Sequence, residues 1–328
     1  MSDVPATAIF MALALGLFDK MGLKVGESSF AKAVMIGIPF AALIGGVATP
    51  AGSSINILGI FFIQEYGDVT VRFLDWMVIG VPMVVVLLPI SVRLLLWFYP
   101  PEMDEVTAVG DVESERAALG PVSGPEWRVL IILSAMIVCW VGSTWIDQLD
   151  VVMVSLGGAI LMFLPGMNIF GWKEVERGIG WEALLMVGGV TALGAASVET
   201  GLAQWMVDGS LGGLEGWGAL GIVALVSAFT VVVHLPLPIG PVINSVLIPP
   251  LAILALSTGQ NPALYALPVA FTASCAFLLP LDAVPLVTYT KGYYRMLDMA
   301  VPGALLSVCW VVLITLLMVW VGPLVGLL

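Results

Sequence analysis

Two carboxylates stand in otherwise apolar sequence: Asp3, ahead of an apolar arm, and Asp282, inside Leu279-Pro280-Leu281-Asp282-Ala283-Val284-Pro285. A carboxylate at membrane depth is costly, so it marks a place for a cation or a coupling proton. Each also reads as a helix cap. Further polar side chains gather at the same kinds of places: Ser2 and Thr7; Thr49, Ser53, Ser54 and Asn56; Asn244 and Ser245; Thr288. His234 precedes a proline-rich turn and reads as a satisfied structural histidine. Cys139, Cys275 and Cys309 lie in apolar runs without metal-ligand spacing and read as packing residues. An intramembrane enzyme is a competing reading. A serine or cysteine hydrolase needs a base beside its nucleophile, and the single histidine has no GxSxG motif near it. Asp3 and Asp282 could pose as an aspartyl dyad, but flanking motifs are absent. The chain is expected not to be an enzyme and to need no cofactor.

The elements that must position these residues follow from composition. Of 328 residues, 60% are hydrophobic and 10% charged. Soluble domains carry about a quarter charged residues, so this exterior must face lipid. A lipid-facing backbone has to satisfy itself in helices or a closed barrel. The apolar runs are continuous rather than alternating, which selects helices. They cover roughly 5–19, 33–63, 73–99, 128–146, 151–165, 181–206, 217–257, 262–289 and 299–328. Net charge is −12, much of it in an acidic stretch at 100–126 that reads as a solvated linker and suggests no nucleic-acid partner. The Gly157-Gly158 and Gly188-Gly189 pairs read as close helix packing.

Three of the long runs are interrupted. Gly45 to Ser54 breaks 33–63, and Leu279 to Pro285 breaks 262–289. Pro236, Pro238 and Pro241 fold 217–257 into a re-entrant hairpin, because proline removes a helix donor and clashes with the preceding turn. With that topology, ten of the eleven Lys and Arg fall on one side, leaving Arg72 opposite. The positive side is cytoplasmic, and the C-terminus lies on the other side.

The order hairpin, broken helix, long helix in 217–325 recurs as apolar arm, broken helix, long helix in 5–99, with opposite orientation. The expected fold is therefore an all-α polytopic membrane protein, an inverted-repeat transporter with broken helices and re-entrant hairpins whose first repeat is incomplete. Residues 1–99 would hold the C-terminal part of the first repeat, 100–126 the linker and 127–328 the second repeat. Met1 falls where a hairpin tip is expected, which suggests an N-terminally truncated carrier. Bare backbone at membrane depth costs several kcal/mol per unsatisfied group. The three interruptions are thus expected to face one another around a polar site for an anion and a hard cation.

At these residues the chain resembles the divalent anion:sodium symporter family of dicarboxylate and sulfate carriers. Gly45-Gly46-Val47-Ala48-Thr49-Pro50-Ala51-Gly52-Ser53-Ser54-Ile55-Asn56 follows the family's GGxxTxxG[TS]PPN pattern, with Ser54-Ile55 in place of Pro-Pro. Trp181 through Gly188-Gly189 to Thr200-Gly201-Leu202 is similar to another family stretch. Ser274-Cys275-Ala276-Phe277-Leu278-Leu279-Pro280 resembles the start of the second broken-helix loop. By position, Ser2-Asp3-Val4 falls on the first Ser-Asn-Thr hairpin motif and Ile239-Gly240-Pro241 near the second; both depart from it. The resemblance implies a di- or tricarboxylate, or a sulfate-like anion, moved by an elevator-type mechanism with Na⁺ or H⁺ by a homodimer in the cytoplasmic membrane of a prokaryote. It implies substrate contacts at Asp3, Thr7, Thr49, Ser53, Ser54, Gly240, Pro241, Asn244 and Thr288. It implies ion contacts at Ser2, Gly46, Gly52, Asn56, Ser245, Asp282 and Ala283, with Na⁺ the only metal. The alternative is a transport-inactive fragment or partner subunit of such a carrier.

Overall fold

The computed structural model describes residues 3–103, 120–146, 149–167, 169–178, 181–202, 205, 209, 213 and 216–326; Ser2 and residues 104–119 lie outside them. Among the described residues every regular element is helical. In chain order these are α1 Asp3–Lys20, α2 Ser29–Gly46, α3 Ser54–Gly67, α4 Phe73–Phe98, α5 Gly124–Gly142, α6 Val151–Phe163 and α7 Trp172–Gly178. There follow α8 Trp181–Glu199, α9 Ala219–Val233, α10 Gly240–Ser257, α11 Pro262–Thr272, α12 Ala283–Tyr289 and α13 Met296–Val321. Helices α2, α4, α5, α10 and Met296–Leu324 are long and apolar enough to cross a membrane. Helix α9 has 15 residues, a rise of about 22 Å, short of a hydrocarbon core of about 30 Å.

The chain packs as two compact units, one of residues 1–71, 75–108 and 189–328, the other of 72–74 and 109–188. In the smaller unit α5 packs on α6. Ser123 and Glu126 form a reciprocal capping box at the start of α5, and Asp150 caps α6. Trp140 Nε1 donates to Val151 O at 3.2 Å and its ring stacks on Phe73. Leu130, Ile131, Ile137 and Val138 are exposed, as lipid-facing side chains of a spanning helix are.

The larger unit holds both broken helices. The first run breaks where expected: α2 ends at Gly46, a short 3₁₀ turn covers Pro50–Gly52, and α3 starts after Ser53, whose hydroxyl accepts from Ile55 N. The second break begins at Ala273, six residues before the Leu279 at which the prolines alone place it and next to Ser274, where the family resemblance places the start of this loop; it closes at Asp282. Pro285 sits in the first turn of α12, where a missing N–H costs nothing. The expected fold at 235–241 separates α9 from α10.

Packing is interleaved. Helix α1 lies on α2 and α12, and α2 also lies on α12. In the same pattern α10 lies on α11 and α3, and α11 also lies on α3. The long helices press on the breaks in matching fashion. A Cβ on Gly80 of α4 would stand 2.3 Å from Val47 O, and one on Gly303 of α13 would stand 1.8 Å from Phe277 O. Both glycines are the eighth residue of their helix. Around these points Trp76 stacks on Phe271 at 3.9 Å, and Phe277 meets Phe40 and Trp310 edge-on. The acidic stretch is not wholly a solvated linker: Glu102 accepts from Ser28 Oγ and from Phe30 N, holding the start of α2.

Candidate solute site at two helix breaks

At the first break α2 and α3 are held in register by one amide. Asn56 Nδ2 donates to Gly46 O at 2.8 Å and to Thr49 O at 2.9 Å, satisfying carbonyls that the interrupted helix leaves bare. The loop closes tightly enough that a Cβ on Gly52 would stand 2.2 Å from Gly46 O. A Cβ on Gly46 would stand 2.2 Å from Asp3 Oδ1, so the notch for Asp3 exists only because residue 46 is glycine. Asp3 begins α1 and is buried, with the Ser53 hydroxyl and the Asp282 carboxyl close enough to act on it electrostatically.

At the second break the hairpin reaches over the end of α11. His234 Nε2 donates to Ala273 O at 2.8 Å, which is the satisfied role expected of it. Gly240 approaches the same carbonyl so closely that a Cβ would stand 2.6 Å away, and 2.7 Å from Ile55 Cδ1. Asp282 Oδ1 accepts from Val284 N at 2.9 Å and caps α12. His234, Cys275 and Asp282 line one small pocket. Asn244 Nδ2 donates to Ile55 O at 2.9 Å and ties α10 to the start of α3. The segments around Thr49, Gly240 and Asp282 are thus neighbours.

The expected residues differ in their surroundings. Asp3, Gly46, Gly52, Ser53, Asn56, Gly240, Asn244 and Asp282 are joined by the contacts just given. Thr49 contributes its carbonyl to Asn56 and Pro241 is buried in the first turn of α10. Ser54 and Ala283 open their half-helices and are exposed. Thr7 is fully buried, and its Oγ1 has no hydrogen-bond partner among the described residues. Two hydroxyls are occupied within their own segment: Ser245 donates to Val242 O, while Thr288 donates to Pro285 O and meets Tyr294 Oη. Those partners fit Thr288 for packing α12. Ser2 lies outside the described residues.

The sequence reading gives Thr272 no role, and takes Ser274 only as the start of the second loop and not as a site residue. Both are buried at the second break with hydroxyls lacking a partner among the described residues. The alternation Thr272-Ala273-Ser274 after an unbroken apolar run is the available signal. Asn56 Oδ1 and Asn244 Oδ1 are likewise buried and unpartnered. Oxygen donors of this kind suit a hard monovalent cation, and no group of three His, Cys, Asp or Glu fit to hold a metal ion occurs among the described residues. A cavity of about 610 Å³ runs along α1, α2 and α4, apolar except where it meets the first break at Asp3, Gly46 and Gly52.

Comparison with known proteins gives a consistent picture. The family profile "Sodium:sulfate symporter transmembrane region" matches residues 7–328. A "Membrane protein" of Cupriavidus necator is 27% identical over 86% of this chain and 56% of its own length. The "Sodium-dependent dicarboxylate transporter SdcS" of Staphylococcus saprophyticus is 26% identical over 98% of this chain and 66% of its own. "Sodium-dependent low-affinity dicarboxylate transporter 1" of Caenorhabditis elegans is 26% identical over 90% and 56%. The chain therefore spans between about half and two thirds of the length of these relatives.

Proposed function

This chain belongs to the sodium:sulfate symporter transmembrane family, an integral membrane transporter family rather than an enzyme family, and from that premise we propose that it works as a secondary carrier of a small anion coupled to Na⁺. The anion class is that of a di- or tricarboxylate or a sulfate-like ion. The observation that carries the reading is the meeting of the two breaks: Asp3 rests on Gly46 and Ser53 and interacts with Asp282, while Gly240 lies between Ile55 and Ala273. Unwound backbone from two helices is thereby gathered at one place, where it meets polar side chains instead of lipid.

In this reading the solute sits among Asp3, Thr7, Thr49, Ser53, Ser54, Gly240, Pro241 and Asn244. The cation is held by oxygens around Gly46, Gly52, Asn56, Ser245, Asp282 and Ala283. The matched positions of Gly80 and Gly303, and the matched partners of α1 and α10, support two repeats of opposite orientation. Alternating access is then an elevator-like movement of the unit that carries both breaks, in a homodimer whose basic loops face the cytoplasm.

The test is uptake. The full-length protein is reconstituted into liposomes and given labelled succinate, citrate or sulfate under imposed Na⁺ or H⁺ gradients. Accumulation that follows the Na⁺ gradient is expected. Absence of gradient-dependent uptake of every anion tried would sink the reading.

A further inference from the structure

We propose that the apolar cavity along α1, α2 and α4 is the seat of one more apolar helix, carried on the same polypeptide ahead of α1 and packed there as α9 is packed on α11 and α13. The proposal rests on the two-repeat reading above and gives an occupant to a surface which that reading leaves unassigned.

The packing of the second repeat supplies the template. Helix α9 lies on both α11 and α13. Under the repeat, α10, α11 and α13 correspond to α1, α2 and α4: α10 lies on α11 as α1 lies on α2, and Gly303 of α13 matches Gly80 of α4. The place of α9 therefore corresponds to the groove of α2 and α4 beside α1, where the cavity of about 610 Å³ lies. The lengths agree. The lining on α2 runs from Phe30 to Gly46, a rise of about 24 Å, against about 22 Å for α9. The ends agree as well. The end of α9 puts His234 on Ala273 O at the second break, and the cavity meets the first break at Asp3, Gly46 and Gly52. A helix seated there walls the first break off from lipid.

The lining is that of a helix seat rather than of a lipid face. Ala33, Gly37, Ala41 and Gly45 recur every fourth residue along one face of α2, and all four line the cavity. That spacing of small residues lets a second helix bring its backbone close. A Cβ on Gly45 would meet nothing within 4 Å, so no described neighbour requires glycine there. Where α5 meets hydrocarbon it exposes large side chains instead, Leu130, Ile131 and Val138 among them. The buried face of α9, with Ile222, Val223 and Val226, shows the chemistry such an occupant needs. Relatives matched over 56% to 66% of their own length hold enough further chain to supply it.

The test is photo-crosslinking in the membrane-inserted product of the whole gene. Benzoylphenylalanine is put in place of Phe10 or Phe30, both at the cavity, or of Trp320, which is exposed near the end of α13. From positions 10 and 30 the adduct is expected within the same polypeptide, on an apolar helix ahead of α1; from position 320 it is expected on lipid. Position 30 keeps the test decisive if the variant at position 10 does not fold. Adducts from the two cavity positions to lipid, to a second copy or to another protein overturn the proposal. So does a gene product whose measured mass corresponds to a start at Met1. Anion uptake by the unsubstituted protein is measured alongside: its failure overturns the carrier reading, while the crosslink map still decides the helix.

Discussion

Asn244 and Ile55, 189 residues apart, share the hydrogen bond that joins the hairpin to the first broken helix, Nδ2 to O at 2.9 Å. The carbonyl of Ile55 lies at the very start of α3 and Asn244 is fully buried. Removing the donor leaves that carbonyl only the bond it takes within α3 and deletes the buried tie between α10 and α3. Asn244→Ala should lower unfolding stability by about 1 kcal/mol. Thermal unfolding of the purified protein in detergent checks this, and an unchanged midpoint would mean that the bond contributes nothing.

Gly303 and Gly80 let two long helices touch backbone. Alanine at 303 would bring its Cβ to 1.8 Å of Phe277 O, and at 80 to 2.3 Å of Val47 O. No flexible side chain can yield at either point. Gly303→Ala and Gly80→Ala should each destabilise by at least the 1–3 kcal/mol typical of overpacking. Gly16→Ala in α1 meets nothing within 4 Å and should be neutral or mildly stabilising, by up to about 1 kcal/mol. Equal yields of folded protein from all three variants would contradict the close approach.

Trp76 has two roles that one substitution separates. Its ring stacks on Phe271 at 3.9 Å, while its Nε1 donates to Val47 O at 2.8 Å. Trp76→Phe keeps an aromatic ring and deletes the donor, so a loss of about 1–3 kcal/mol is expected. Since Val47 belongs to the first break, the apparent solute affinity in uptake assays should weaken as well. Full affinity together with full stability would show that the donor is dispensable.

Glu102 gives a pH signature outside the apolar spans. Desolvation pushes its carboxyl up, but hydrogen bonds from Ser28 and from backbone amides including Phe30 outweigh it and hold the group below the ordinary value of 4.5. A group lowered on folding stabilises the fold above its unfolded value and loses that contribution as pH falls through the folded one. The stability difference between wild type and Glu102→Gln should thus be constant above about pH 4.5 and vanish as pH drops further. Denaturant midpoints measured from pH 6 to 3 decide it; a difference that grows on acidification would reverse the sign.

The first break was legible in sequence because its causes are local. Gly45-Gly46, Pro50 and Gly52 each forbid or weaken helix within a few residues, and Ser53 is a cap. Read from its prolines the second was displaced, and only the resemblance at Ser274 placed its start, because its cause is distant: Ala273 is turned out of helix under His234 and Gly240, which no local propensity encodes. Asp282 was legible as a cap and as a polar exception. Its encounter with Asp3 could be suspected only from the symmetry of the two runs. Thr272 and Ser274 hide in an apolar stretch, where small hydroxyl residues are ordinary packing. Glu102 was taken for part of a solvated stretch because pairing with Ser28 depends on how α4 and α2 converge.

The interleaving of α1 and α2 with α12, and of α3 with α10 and α11, bears on how the chain is made. Neither half of the larger unit finds all its neighbours in its own stretch of sequence. A nascent chain must therefore park the unwound stretch around Thr49 in the translocation channel or the bilayer until Tyr289 has left the ribosome. Biogenesis is then the moment of greatest exposure for these polar loops.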